Sequence, residues 1–155
     1  MPELETILLN TQLSTNSTIV LNEIKYLNRS TSIVLKSTIN STKLFPQIDI
    51  LLQQEFPQVL KTQCFNHKNL PFCEEVHETE IGHLLEHIII AHLFESKRLQ
   101  GLTNIIFDGE TSWNWLEDEE GTFYITIKGN TDYLDVLSDS ILKSVKILLK
   151  VISSN

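Results

Sequence analysis

Basic residues are scarce in this chain: twelve Lys and Arg stand against twenty Asp and Glu, for a formal charge of −8. A field of that sign repels phosphate backbones and anionic lipid, which excludes nucleic-acid and membrane-surface roles and favours cationic or arginine-bearing partners. Long apolar runs are missing too, since the longest, Ile88 to Ala91, stops at His92; no segment reads as membrane-spanning. The opening Met1-Pro2-Glu3-Leu4-Glu5 lacks the basic n-region of a secretory signal, so a cytoplasmic location is expected. Cysteine is limited to Cys64 and Cys73, too few for a disulfide scaffold and ordinary as free thiols in a reducing compartment. The sequons at Asn16, Asn28 and Asn40 fall in Ser/Thr/Asn-rich sequence, which generates them by chance, and are read as unmodified.

What is present suits one domain over residues 1–155. At 155 residues and 41% hydrophobic content, the chain can close one core and is short for two. Two Ile-Val-Leu-type triplets, Ile19 to Leu21 and Ile33 to Leu35, sit among Ser and Thr and predict a pair of β-strands. Phe45, Ile48, Leu51, Leu52 and Phe56 recur every three or four residues and predict a first helix. Gln58 to Glu78 reads as a loop. A second helix follows, capped by Thr79 and ended by Gly101, with Lys97 and Arg98 suiting its C-terminus. Strands are expected at Thr103 to Phe107 and Thr122 to Lys128, paired as a hairpin with Asp108-Gly109 in the connection. A last helix carries Leu134, Leu137, Ile141, Val145, Leu148 and Ile152 on one face. Paired strands interleaved with about three helices give an α+β fold, a mostly antiparallel sheet with helices packed on one face.

The second helix holds His83-Leu84-Leu85-Glu86-His87, the inverted zinc-peptidase motif H-x-x-E-H. Positions four apart on a helix lie one above the other about 6 Å apart, so two imidazoles can grip one ion while Glu86 reaches the same spot. With five histidines, a random chain of this length shows the pattern on the order of once in a hundred times. The ordinary alternative is two helix histidines bonded to backbone or to Glu86. As a metal site the pattern assigns His83 and His87 to zinc and Glu86 to the base that takes a proton from water. A catalytic ion needs a third protein ligand, and Glu110, with Asp108 as the alternative, is the nearest on topology, in the turn after the strand that follows the motif helix; a second subunit of a homo-oligomer is another source.

Other candidates carry less. His92 is rotated off the face of His87 and reads as a surface or core-edge residue. Cys64, His67, Cys73 and His77 form C-x2-H-x5-C-x3-H, whose central spacing is shorter than in usual zinc fingers. A Cys64–Cys73 disulfide is not expected in a reducing compartment. Trp113 and Trp115 would either line a groove beside Glu110 or pack over the sheet.

Cys64, Phe72, Thr79-x-x-Gly82-His83-x-x-Glu86-His87-Ile88 and Gly121-x-Phe123-x-Ile125 together resemble the N-terminal domain of cyanophycin synthetase. More distantly the chain is similar to pitrilysin-type peptidases and S-ribosylhomocysteine lyase, a metallohydrolase superfamily with an H-x-x-E-H helix on an α+β sheet. The resemblance runs loosely from about Phe45 onward and is specific between Cys64 and Ile88. It implies zinc on His83 and His87, Glu86 as base, and cleavage of a peptide or polypeptide, Arg-bearing or β-aspartyl, that makes primers. Glu78, Leu70-Pro71 and Lys128 depart from the family pattern, and the helix that gives pitrilysin-type enzymes their third ligand has no counterpart. The alternative is a non-catalytic peptide- or protein-binding module with an incomplete metal site.

Overall fold

A computed structural model describes residues 5–6, 18–62 and 70–154. Five strands form one antiparallel sheet: β1 (Glu5–Thr6), β2 (Ile19–Leu27), β3 (Ser30–Ser37), β4 (Phe107–Ser112) and β5 (Thr122–Gly129), in the order β1-β2-β3-β5-β4. Four helices accompany it: α1 (Ile48–Glu55), the single turn α2 (Phe72–Glu75), α3 (Ile81–Leu99) and α4 (Leu134–Ser153). The α+β class and the antiparallel sheet agree with the sequence reading.

The predicted strand pair is a hairpin. Leu27 and Ser30 face each other across Asn28 and Arg29, both in the left-handed region at φ 52° and 62°, the two-residue turn whose twist matches antiparallel strands. A bulge between Leu21 and Glu23 resets the alternation, so Ile19, Leu21, Ile24 and Tyr26 are all buried. They join Ile33, Leu35, Phe123, Ile125 and Ile127 under the helices. The opposite face presents Ser32, Lys36, Tyr124 and Lys128 to solvent.

α3 lies across β4 and β5 and alongside α4. Its first turn sits very close to the sheet: a Cβ on Gly82 would lie 2.5 Å from Phe123 Cγ, so only glycine lets the helix approach there. Its other end stops as predicted at Gly101, φ +86°, where Leu102 N–H bonds Lys97 O (3.3 Å) and Gly101 N–H bonds Arg98 O (2.9 Å). Lys97, almost wholly buried, donates to Asp135 Oδ1 at 2.7 Å and fastens the C-terminus of α3 to the start of α4. No helix of the described residues is long and apolar enough to cross a membrane.

Three boundaries differ from expectation. The strand placed at Thr103 to Phe107 is β4, Phe107–Ser112: the apolar pair Ile105-Ile106 belongs to the connection, and the weak strand formers Asp108, Gly109, Glu110 and Ser112 are held extended by pairing with β5. Asp108-Gly109 is therefore strand, not turn. Thr79 does not cap α3, whose N-cap is Glu80 without a side-chain bond. The first helix is shorter than drawn, and the loop from Gln58 contains a 3-10 turn, Pro57–Lys61, as well as α2.

Candidate metal centre

The motif converges. His83, Glu86 and His87 each offer a ligand atom within 4.8 Å of the others. The two Nε2 atoms are 3.1 Å apart, and His87 Nε2 is 3.9 Å from Glu86 Oε2. Two nitrogens each 2.0 to 2.1 Å from one tetrahedral ion stand about 3.3 Å apart, so the pair fits zinc as it lies.

The far side of each ring is held by a threonine hydroxyl. Thr62 Oγ1 donates to Val59 O (2.7 Å), so at His87 Nδ1, 2.7 Å away, it accepts, and Nδ1 carries the hydrogen. Thr79 Oγ1 stands 2.8 Å from His83 Nδ1 and 3.3 Å from Glu80 Oε2, and so orients the second ring through the same nitrogen. His87 Nε2 thus presents its lone pair towards His83 Nε2. A neutral imidazole oriented through Nδ1 is the form that binds zinc. The buried carboxylate of Glu75, its Oε1 4.0 Å from His83 Nδ1, adds negative charge behind that ring.

Packing holds the geometry. Phe72, wholly buried on α2, stacks on His87 (centroids 3.8 Å, 10° between planes) and meets His83 edge-on at 5.7 Å. Burial and then the neighbouring His83 push the His87 pKa down to about 3, so this imidazole stays neutral at any physiological pH. Glu86 moves the other way, to about 7. Burial is the main cause, opposed by a hydrogen bond from Thr111 Oγ1 (2.8 Å to Oε1) and reinforced by Asp108, Glu110 and Glu75. Gly109 gives Glu86 its room: a Cβ there would lie 3.0 Å from Glu86 Cδ and 2.8 Å from Ile90 Cδ1.

Asp108 and Glu110 do not join the converging group. On β4 the alternation sends Phe107, Gly109 and Thr111 towards α3 and leaves Asp108 and Glu110 exposed, so they act on Glu86 only through their charge. Placed in a turn, they had seemed free to reach inward; in a strand, Thr111 takes that position. Thr62, Thr79 as a histidine partner, Thr111 and Glu75 were all missed as site residues. Only Thr111 had a signal, the period of two once β4 is in register.

His92 is a core-edge residue, its Nδ1 3.0 Å from Ser144 Oγ and its ring 4.1 Å from that of Phe56. Trp113 and Trp115 pack on Phe123, with Trp115 Nε1 donating to Thr122 O at 3.0 Å. Cys64 and His67 lie outside the described residues, and so do the four-residue cluster and the disulfide that involve them; Cys73 is exposed and His77 Nε2 stands 3.7 Å from Asp49 Oδ2.

The three groups open onto a cleft of about 960 Å³ between α3, the Pro57–Lys61 turn and β4. Since β4 pairs only with β5 among the described residues, its outer edge borders this cleft. No family model matches the chain, and neither a curated protein nor a solved structure does.

Proposed function

We propose that the protein is a zinc-dependent, peptidase-like hydrolase. The observation that carries this is the convergence of the two Nε2 atoms, 3.1 Å apart, with Glu86 Oε2 3.9 Å from His87 Nε2 and each ring held through Nδ1 by a threonine hydroxyl. His83 and His87 would hold the ion. Zinc there supplies a Lewis acid for a carbonyl oxygen and lowers the pKa of water. Glu86 takes up the proton from water: its carboxyl is raised towards neutrality by burial, and Thr111 holds Oε1 so that Oε2 faces the histidines.

A peptide suits the cleft because β4 is an edge strand among the described residues. An extended backbone can add to that edge by main-chain hydrogen bonds and so carry its carbonyl past Glu86. Asp108 and Glu110, exposed and without an ion pair among the described residues, favour a basic side chain on the solvent face of such a peptide, which keeps an Arg-bearing substrate in view. The resemblance to the cyanophycin synthetase N-terminal domain and its superfamily enters on the same footing, as does a cytoplasmic setting.

A second reading is a binding module that keeps the ion without turnover. It is favoured by the donor set, in which Glu86 is the one carboxylate among the described residues that converges with the histidines and so would serve as third ligand rather than base. Glu86→Gln separates the two. As base, its loss abolishes peptide cleavage while one zinc per chain remains; as ligand, its loss weakens zinc binding itself.

A further inference from the structure

Glu86, Ile90 and Phe94 fall four apart on α3 and line one wall of the cleft. Ile105, Ile106 and Phe107 line the other. Phe94 and Ile106 are 42% and 65% exposed, unusual for side chains of that size beside a polar centre. The segment carrying the isoleucines is not left loose. Asn130 fastens it three times: Oδ1 accepts from Ile106 N–H (2.9 Å), Nδ2 donates to Asn104 O (2.7 Å), and its backbone N–H bonds Ile106 O (3.1 Å). Asn104 adopts φ 56° to make this possible. The exposed apolar wall is therefore held in place before anything binds, which lowers the ordering cost of binding.

We infer that this wall is a side-chain subsite that takes a large aliphatic or aromatic residue of an extended peptide lying along β4. The inference rests on the peptide reading of the cleft. It is supported by continuity: the wall runs from Glu86 along the same strand edge, unpaired among the described residues, and Glu95, the charged neighbour of Phe94 in the lining, is engaged with Arg98 at 2.5 Å. Eight residues of helix put Phe94 about 12 Å from Glu86. At about 3.3 Å per residue, the docked side chain belongs three or four positions from the peptide bond beside Glu86.

The test uses the zinc-loaded full chain carrying Glu86→Gln and fluorescein-labelled decapeptides of Ala and Arg, in which one residue is Leu, Phe or Ser at successive positions. Anisotropy should give Leu and Phe peptides about ten-fold or more tighter binding than Ser peptides at one position of the scan. Adding Phe94→Ser with Ile106→Ser should erase that preference, with zinc content and melting temperature unchanged. Equal binding of Leu and Ser peptides, or a preference that survives the double substitution, overturns the subsite. So does a concentration-dependent dimer that the double substitution dissolves, because a second copy would then be the occupant. Failure of the hydrolase reading looks different: the wild-type chain, with Glu86 in place, would cleave none of these peptides while the affinities still differed.

Discussion

Thr62→Val removes one hydroxyl and keeps the shape of the side chain. Val59 O still receives the backbone N–H of residue 62 at 3.2 Å, so the loss falls on His87 Nδ1, whose hydrogen has no other acceptor among the described residues. Leaving a buried N–H unmet costs about 1 to 3 kcal/mol. The metal-free imidazole can escape most of this by moving its proton to Nε2, from which it donates to His83 Nε2 3.1 Å away. That form has no lone pair for an ion. Zinc must reverse the switch, so the cost should surface as affinity: a loss of roughly 10- to 100-fold, about 1.4 to 2.7 kcal/mol. Competition with a chromophoric chelator reads the affinity, and urea unfolding of the metal-free protein reads stability, which should change by less than about 1 kcal/mol. Wild-type zinc affinity in the variant would refute the claim that Thr62 sets the tautomer.

The remaining predictions concern the same helix. The Glu86 carboxyl holds its proton more tightly folded than unfolded, so from about pH 4.5 to 7 it makes the metal-free protein less stable as pH rises, whereas His87, neutral when folded, makes it more stable between about pH 3 and 6.5. Glu86→Gln removes only the first effect: its stability relative to wild type should grow by on the order of 2 to 3 kcal/mol between pH 5 and 7.5 in metal-free urea titrations, and a pH-independent difference would contradict the burial argument. Thr111→Val deletes the bond that steadies Glu86 Oε1 and should lower turnover with zinc content unchanged; wild-type kinetics would remove Thr111 from the site. Gly82→Ala drives a methyl into Phe123 and should cost about 1 to 3 kcal/mol or more in urea unfolding, with weaker zinc binding as His83 shifts; an unperturbed variant would mean the helix and sheet are not in tight contact there.

Long periodic segments were readable from sequence because burial alone dictates them. The stripe of α4 from Leu137 to Val151 and the β2-β3 hairpin are of this kind. β4 was misplaced by four residues for the converse reason: its residues are poor strand formers, and neighbouring β5, not local preference, makes them extended. That one shift carried Asp108 and Glu110 to the wrong face and hid Thr111. The histidine pair was legible since helical spacing brings i and i+4 together whatever the rest of the fold does. Its second layer was not, because Thr62 and Glu75 reach it from turns whose position depends on tertiary packing.

Zinc analysis of the purified full chain, wild type beside His83→Ala, tests the account most directly. Close to one zinc per wild-type chain, absent from the variant, is the result the facing imidazoles predict. A wild-type chain that takes up no zinc when supplied with it, or a variant that holds as much as wild type, would contradict the assignment.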